Sequence, residues 1–352
     1  MNSIKKLYLK LMDARNVARL KSKAKKQAEL KTYFPEYNEK RKSKKVMVKE
    51  NLCHLKKYKE INDFYMLYGF DIEGADMDAY IDYRSFMISR SRLNRVGQQS
   101  SQVILLRDKF QFFKYLKSNN ISTAEVFAVM LEGRLYDTGM KELDESVLKE
   151  KTNYFVKSID GECASFVKRI KDYSEYEEVK AQLDKAQGYI FQEALQQCDE
   201  MNALNPSAIN TLRIVTVMKH GEVKVLSALL RVGTDKSGNV DNWAAGGLAI
   251  GVQPNGYLKK YGFYKPRFGQ KTDTHPVTGV VLEEFKVPMF DEARELVCNA
   301  HKVFYGVHSI GWDVAFTKDG PTLIEGNDNW EISLMQACDK PLKAEWLEAC
   351  KL

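Results

Sequence analysis

Proline is scarce, with 8 in 352 residues, and no stretch reaches the ~18–20 uncharged apolar residues of a membrane-crossing helix. The start has no apolar core of a secretory leader, because Lys10, Asp13 and Arg15 interrupt it. The six cysteines (Cys53, Cys163, Cys198, Cys298, Cys338, Cys350) form no CxxC pair. They read as reduced thiols, which excludes a disulfide frame and a zinc-ribbon site. A GxxxxGK[ST] phosphate loop, an HExxH metal helix and a GxSxG nucleophile elbow are all missing, as is any internal repeat. His301 and His308, separated by Gly306, read as structural. The remainder, 44% hydrophobic and 29% charged, is an ordinary globular composition and excludes collagen, coiled coil and disorder as the main class. The length exceeds what one core reaches, about 250–300 residues, and predicts one large domain or several subdomains.

The net charge of +7 is unevenly spread. Residues 1–60 hold 19 Lys+Arg against 6 Asp+Glu, and the rest holds 35 against 41. The basic character belongs to the N-terminal segment. An anionic membrane surface or glycan is a candidate partner for residues 1–49, and a solvated helical face is the plainer reading. Specific nucleic-acid recognition is not expected.

Apolar spacing predicts a helix over 4–30, a polar stretch over 31–49 and a second helix over 51–70, while 71–105 is mixed. Asp108 is placed to cap a helix over 109–119. Strands are expected at 126–131, 154–159 and 189–194, and a helix at 173–185. Residues 209–218 and 222–231 flank His220-Gly221 as a hairpin. A helix at 290–305 precedes a second hairpin, 311–317 and 321–325, turning at Lys318-Asp319-Gly320. Strands and helices mix without βαβ alternation, so the class is α+β with mainly antiparallel sheets.

In that second hairpin Asp313 lies across from Glu325 to within about one residue, and Glu325 and Asn327 share a face. Carboxylates this close repel, and a hard divalent cation such as Mg²⁺ resolves the repulsion. Lys157 sits in an apolar strand that runs into a glycine turn, which suits a phosphate contact, although taken alone a snorkelling lysine fits as well. Arg213 stands mid-strand and needs an anionic partner, either a structural carboxylate or a ligand phosphate.

Taken in order, these features resemble the ATP-grasp superfamily. Leu204-Asn205-Pro206-Ser207-Ala208-Ile209-Asn210-Thr211-Leu212-Arg213, Gly246-Gly247, His275-Pro276 and Gly311-Trp312-Asp313 look most like its sugar-transfer associated branch. The resemblance spans about residues 60–335. It implies an ATP-grasp fold, two α+β lobes clamping ATP, preceded by the basic helical segment. The units expected are 1–60 (basic segment), 61–121 (N-terminal part), 122–195 (small lid) and 196–352 (large part with the metal site).

The resemblance also implies roles. Lys109 and Lys157 would hold phosphates. The strand ending Gln192-Glu193-Ala194-Leu195 would lie under adenine, with the backbone of Glu193 and Leu195 on the base edge. Asp199 or Glu200 would hold the ribose, and Arg213 the γ-phosphate. Asp313, Glu325 and Asn327 would bind two Mg²⁺ ions, with Mn²⁺ as a substitute. Arg231, Gly246 and Gly247 are substrate-contact candidates by position. The loop Gly161-Glu162-Cys163-Ala164 has one glycine where many relatives have several. The activity implied is an ATP-dependent ligase joining a carboxylate to an amine through an acyl phosphate, with cell-surface polysaccharide or related biosynthesis as its setting. The alternatives are an ATP-grasp kinase acting on a hydroxyl and a non-catalytic polyanion-binding adaptor. The expected location is cytoplasmic, with peripheral attachment at the inner membrane face as a variant.

Overall fold

A computed structural model describes residues 16–94, 99–160, 166–238, 240–266 and 268–351. The loop 161–164 and the first part of the expected N-terminal helix lie outside the described residues. Helices and antiparallel sheets are mixed, as the α+β reading expects.

Residues 16–27 form helix α1. The next helix differs from expectation. α2 runs Lys44–Tyr58, starting inside the stretch read as polar and ending before Gly69. Ser43 caps it by accepting from the Val46 amide, and Lys59 stops it in a left-handed conformation. Its lysine-rich face hid it from apolar periodicity. The mixed region holds α3 (Tyr83–Leu93) and α4 (Gln99–Arg107). Residues 16–60 are not a free arm. Ala24, Ala28 and Tyr33 are buried, and the Tyr33 hydroxyl donates to the Tyr264 carbonyl (3.1 Å).

α5 (Lys109–Ser118) starts where Asp108 accepts from the Phe110 and Gln111 amides. Its two faces serve different cores. Phe110 and Phe113 pack on Val126, Val129 and Ile190, while Phe112 and Leu116 enter the largest core. A five-stranded sheet follows, built from β1 (Val126–Leu131), β2 (Arg134–Tyr136), β3 (Tyr154–Ser158), β4 (Val167–Ile170) and β5 (Tyr189–Glu193). Its order is β2-β1-β5-β3-β4, with α6 (Tyr173–Lys180) on the face opposite α5.

After the short α7 (Asp199–Leu204), the chain builds a seven-stranded sheet in the order β10-β9-β8-β7-β6-β11-β12. Its strands are β6 (Thr211–Lys219), β7 (Glu222–Val232), β8 (Leu248–Val252), β9 (Leu258–Phe263), β10 (Lys271–Thr272), β11 (Ser309–Thr317) and β12 (Gly320–Asn327). His220 and Gly221 both take positive φ between β6 and β7, the conformation a tight hairpin demands. One face of this sheet, with Leu212, Ile214, Leu230 and Trp312, is covered by α8 (Phe290–Val303). The other face meets α9 (Ile332–Cys338), α10 (Lys343–Ala349) and the N-terminal helices at one end, through Val215, Val217, Leu229 and Trp330. Its free end carries the polar residues described below.

The two sheets are stitched together at 122–124. The Leu323 amide donates to the Ser122 carbonyl (3.1 Å), and the Ala124 amide to the Leu323 carbonyl (3.0 Å). Gly311 lies near the start of β11, where a Cβ would stand 2.6 Å from Trp330 Cβ. Gly311→Val is therefore expected to cost about 1–3 kcal/mol by overpacking. A urea melt should show a lower midpoint, and an unchanged midpoint would refute this packing account.

Candidate active site

The site begins with a register defect. Pairing across the β11–β12 turn runs regularly from Thr317↔Gly320 to Val314↔Leu323, and in that register Asp313 would face Ile324. A bulge intervenes, and Asp313 pairs with Glu325 instead, followed by Gly311 with Asn327. Leu323 thus stays in the core while Glu325 turns to the face that bears Asp313.

β6 flanks β11 on its other side and sets Arg213 against Asp313. The anionic partner of Arg213 is this carboxylate. Arg213 Nε and Nη2 form a fork on it, with Nη2–Oδ2 at 2.9 Å. Arg231, from β7, also reaches Asp313 Oδ2 (Nη2, 3.0 Å) and donates to Thr211 Oγ1 (2.8 Å). Thr211 in turn donates to Asp241, whose carboxylate lies 3.7 Å from Arg231 Nε. Asp241 carried no signal in the sequence; it sits in an irregular loop and joins the cluster only through Thr211 and Arg231.

Burial alone would raise the Asp313 carboxyl, but Arg213 and Arg231 hold it well below the ordinary carboxylate range. Glu325 moves the other way. Burial first, then the neighbouring Asp313 charge and a hydrogen bond between the two carboxyls, push it up. Asn327 Nδ2 donates to Glu325 Oε1 (3.1 Å). A buried pair of this kind needs a proton or a cation between its members. Two carboxylates and an amide oxygen fit Mg²⁺, which takes one or two carboxylates and completes its shell with water and phosphate. Among the described residues, no group of three His, Cys, Asp or Glu is placed to hold a metal by itself.

The five-stranded sheet contributes the lysines. The Lys109 amide donates to the Ile159 carbonyl (3.0 Å), which fixes the start of α5 at the end of β3. Lys157 Nζ donates to Gln192 Oε1 (2.6 Å) on β5. Burial lowers the Lys157 pKa to about 8, opposed by Glu325 and helped by Lys109. Lys109 and the Glu325 of the other sheet therefore both act on Lys157. The Glu193 amide is committed to the Glu125 carbonyl (2.9 Å) and its side chain to Lys151 (2.7 Å). Half-buried Ala194 and Leu195 follow it in the chain.

The other candidates fall elsewhere. Asp199 and Glu200 are exposed and line a cleft of about 790 Å³ with Lys286 and Lys318. Gly246 and Gly247 are buried, and a Cβ on Gly247 would lie 2.5 Å from the Asp241 carbonyl oxygen. Backbone packing explains glycine at that position. His301 is structural, held between Thr216 Oγ1 and the Val307 carbonyl (both 2.7 Å), and burial lowers its pKa to about 4.

The sugar-transfer associated ATP-grasp model matches residues 89–349, so the chain belongs to that family and carries its fold. Comparison with curated proteins returns no match. Among solved structures, N5-carboxyaminoimidazole synthase from Aspergillus clavatus, solved with ADP and 5-aminoimidazole ribonucleotide, is 14% identical. The match covers 65% of this chain and 46% of that one, with a TM-score of 0.39. The L-amino acid ligase from Bacillus licheniformis is 16% identical over 69% and 47%, with a TM-score of 0.40. An ATP-grasp ligase solved with a precursor peptide and AMPPNP is 13% identical over 76% and 68%, with a TM-score of 0.41. The chain spans less than half the length of the first two. Likeness this weak transfers neither substrates nor residue roles.

A lysine whose folded pKa falls from 10.5 to about 8 binds its proton less tightly when folded, so stability rises with pH between those values. In nucleotide-free protein, Lys157→Met should raise the urea midpoint at pH 7. That gain should shrink between pH 8 and pH 10.5, and no gain at pH 7 would refute the burial penalty.

Proposed function

We propose that the protein is an ATP-dependent ligase that joins a carboxylate to an amine through an acyl phosphate. The observation that carries this reading is the meeting of Arg213, Asp313, Glu325 and Asn327 on one sheet with Lys157 on the other. Membership of the family supports ATP as the phosphoryl donor. Lys157 and Lys109 hold its phosphates, and the Glu193 carbonyl with the Leu195 amide receives the adenine edge. Asp313, Glu325 and Asn327 hold Mg²⁺, which when bound neutralises charge on the phosphates. Arg231 orients Asp313, donating to it and to Thr211 with Asp241 3.7 Å from its Nε.

In the first step a carboxylate oxygen attacks the γ-phosphorus, and the bond to the β-phosphate oxygen breaks to release ADP. Lys157 offsets the charge that spreads over the γ-phosphoryl oxygens, and Arg213, locked on Asp313, adds to the positive field there. In the second step an amine nitrogen attacks the acyl carbon, inorganic phosphate leaves, and the nitrogen gives up a proton. The acyl phosphate is water-sensitive, so closure between the sheets excludes water during transfer. The family description supports a role in cell-surface polysaccharide biosynthesis. Among the described residues no helix is long and apolar enough to cross a membrane.

The stoichiometry tests the reading. A substrate carboxylate labelled with ¹⁸O should pass one label into inorganic phosphate, with one phosphate released per ADP. Phosphate retained on an acceptor hydroxyl would instead show a kinase. Lys157→Met should weaken Mg-ATP binding tenfold or more in calorimetry, since charge-assisted contacts are worth about 1.5–3 kcal/mol. Glu325→Gln and Arg213→Ala should each lower turnover about a hundredfold. Full activity in either variant would remove that residue from the site.

A further inference from the structure

Asn327 is the last residue of β12, and β12 is an edge strand. β11 supports that end from one side, and the pair Gly311↔Asn327 closes the ladder. Asn327 Nδ2 is bonded to Glu325, so Oδ1 is the atom it would offer a cation. Where that oxygen points depends on how the chain is held on either side of Asn327.

Both neighbours of Asn327 rest on the last turn of α4. Before it, Gly326 lies against Leu106 and Trp312, and a Cβ there would stand 2.9 Å from Leu106 Cδ2 and from Trp312 Cζ3. After it, Asp328 is 6% exposed and presents its carboxylate to Arg107. Arg107 Nε donates to Oδ1 (2.8 Å) and Nη2 to Oδ2 (2.9 Å). Each oxygen is matched to one N–H, so this fork fixes the plane of the carboxylate as well as its place. An exposed ion pair contributes little, but here the carboxylate is buried and the contact is double.

α3 holds the same stretch from its own end. The Asp328 carbonyl accepts from Asn94 Nδ2 (2.9 Å), and Asn94 also ties to Ser309 at the start of β11, donating to its carbonyl (3.1 Å) and accepting from its amide (3.0 Å). Two residues further on, Arg90 donates to the Trp330 carbonyl. Arg107 is the one of these side chains that reaches the residue next to Asn327 by its charged group.

We propose that Arg107 is a positioning residue for the metal site. Its fork on Asp328 sets the backbone beside Asn327 and thereby aims Asn327 Oδ1 at the cation. The proposal rests on the reading of Asp313, Glu325 and Asn327 as the Mg²⁺ set.

The test follows Mn²⁺ binding to the full chain in saturating ADP, through the EPR signal of free Mn²⁺. Arg107→Lys keeps the charge and cannot form the fork. Groups that orient metal ligands are worth about 10–100-fold in metal affinity, so this variant should bind Mn²⁺ about tenfold more weakly. Asp328→Asn, which keeps the shape, should weaken Mn²⁺ in the same direction. Binding of ADP without metal should be unchanged in both, since the start of α5 is held separately by the Asp108 cap and by the bond from the Lys109 amide to Ile159. In an Asn327→Ala background, Arg107→Lys should cost nothing further, because the residue it aims is gone. The same loss in that background, an equal loss of metal-free ADP binding, or Mn²⁺ affinity indifferent to both variants overturns the proposal. If Asn327→Ala weakens Mn²⁺ and Arg107→Lys does not, the metal reading stands and the positioning role falls. If Asn327→Ala binds Mn²⁺ as the wild type does, Asn327 is no ligand and both fall.

Discussion

Asp313 is a carboxylate buried on the strand next to the edge of a seven-stranded sheet, and the local architecture answers to that charge. An unpaired carboxylate there would cost several kcal/mol. The cost is met by arginines from two further strands, Arg213 on β6 and Arg231 on β7, so three segments distant in sequence are locked into one register. Asp241 and Thr211 then hold Arg231 in place. Removing one of the charged members leaves a buried charge short of a partner, which ties the fold and the site to the same contacts.

The bulge opposite Asp313 has a similar double effect. It adds one residue to β12, keeps Leu323 in the core and brings Glu325 beside Asp313. A regular ladder would have set Ile324 there and left one carboxylate alone. The resulting pair pushes its two members apart in acidity, Asp313 down and Glu325 up.

The second sheet matters because it aims lysines at this face. Two features set its position: the hydrogen bonds between 122–124 and Leu323, and α5, whose opposite faces enter different cores. Tying the Lys109 amide to Ile159 brings the start of that helix to the end of the strand that bears Lys157. The depressed Lys157 pKa is the electrostatic consequence of burying a lysine, with Lys109 adding to the shift and Glu325 opposing it.

Local signals were legible wherever one residue type has one conformational use. Asp108 capped the expected helix, His220-Gly221 turned the expected hairpin, and the turn near Asp319 set Asp313 against Glu325 to within the one residue that the bulge supplies. The lysine-rich α2 was missed because a helix with few apolar positions leaves no period to read. By itself the sequence determined the family, the mixed architecture and the candidate carboxylates and lysines, because these follow from short-range patterns and motif wording. Only the tertiary structure decided that Arg213 is paired with Asp313 and that Arg231 and Asp241 belong to the same cluster. Those pairings join residues from about 10 to 100 positions apart, and only the arrangement of strands brings their side chains together.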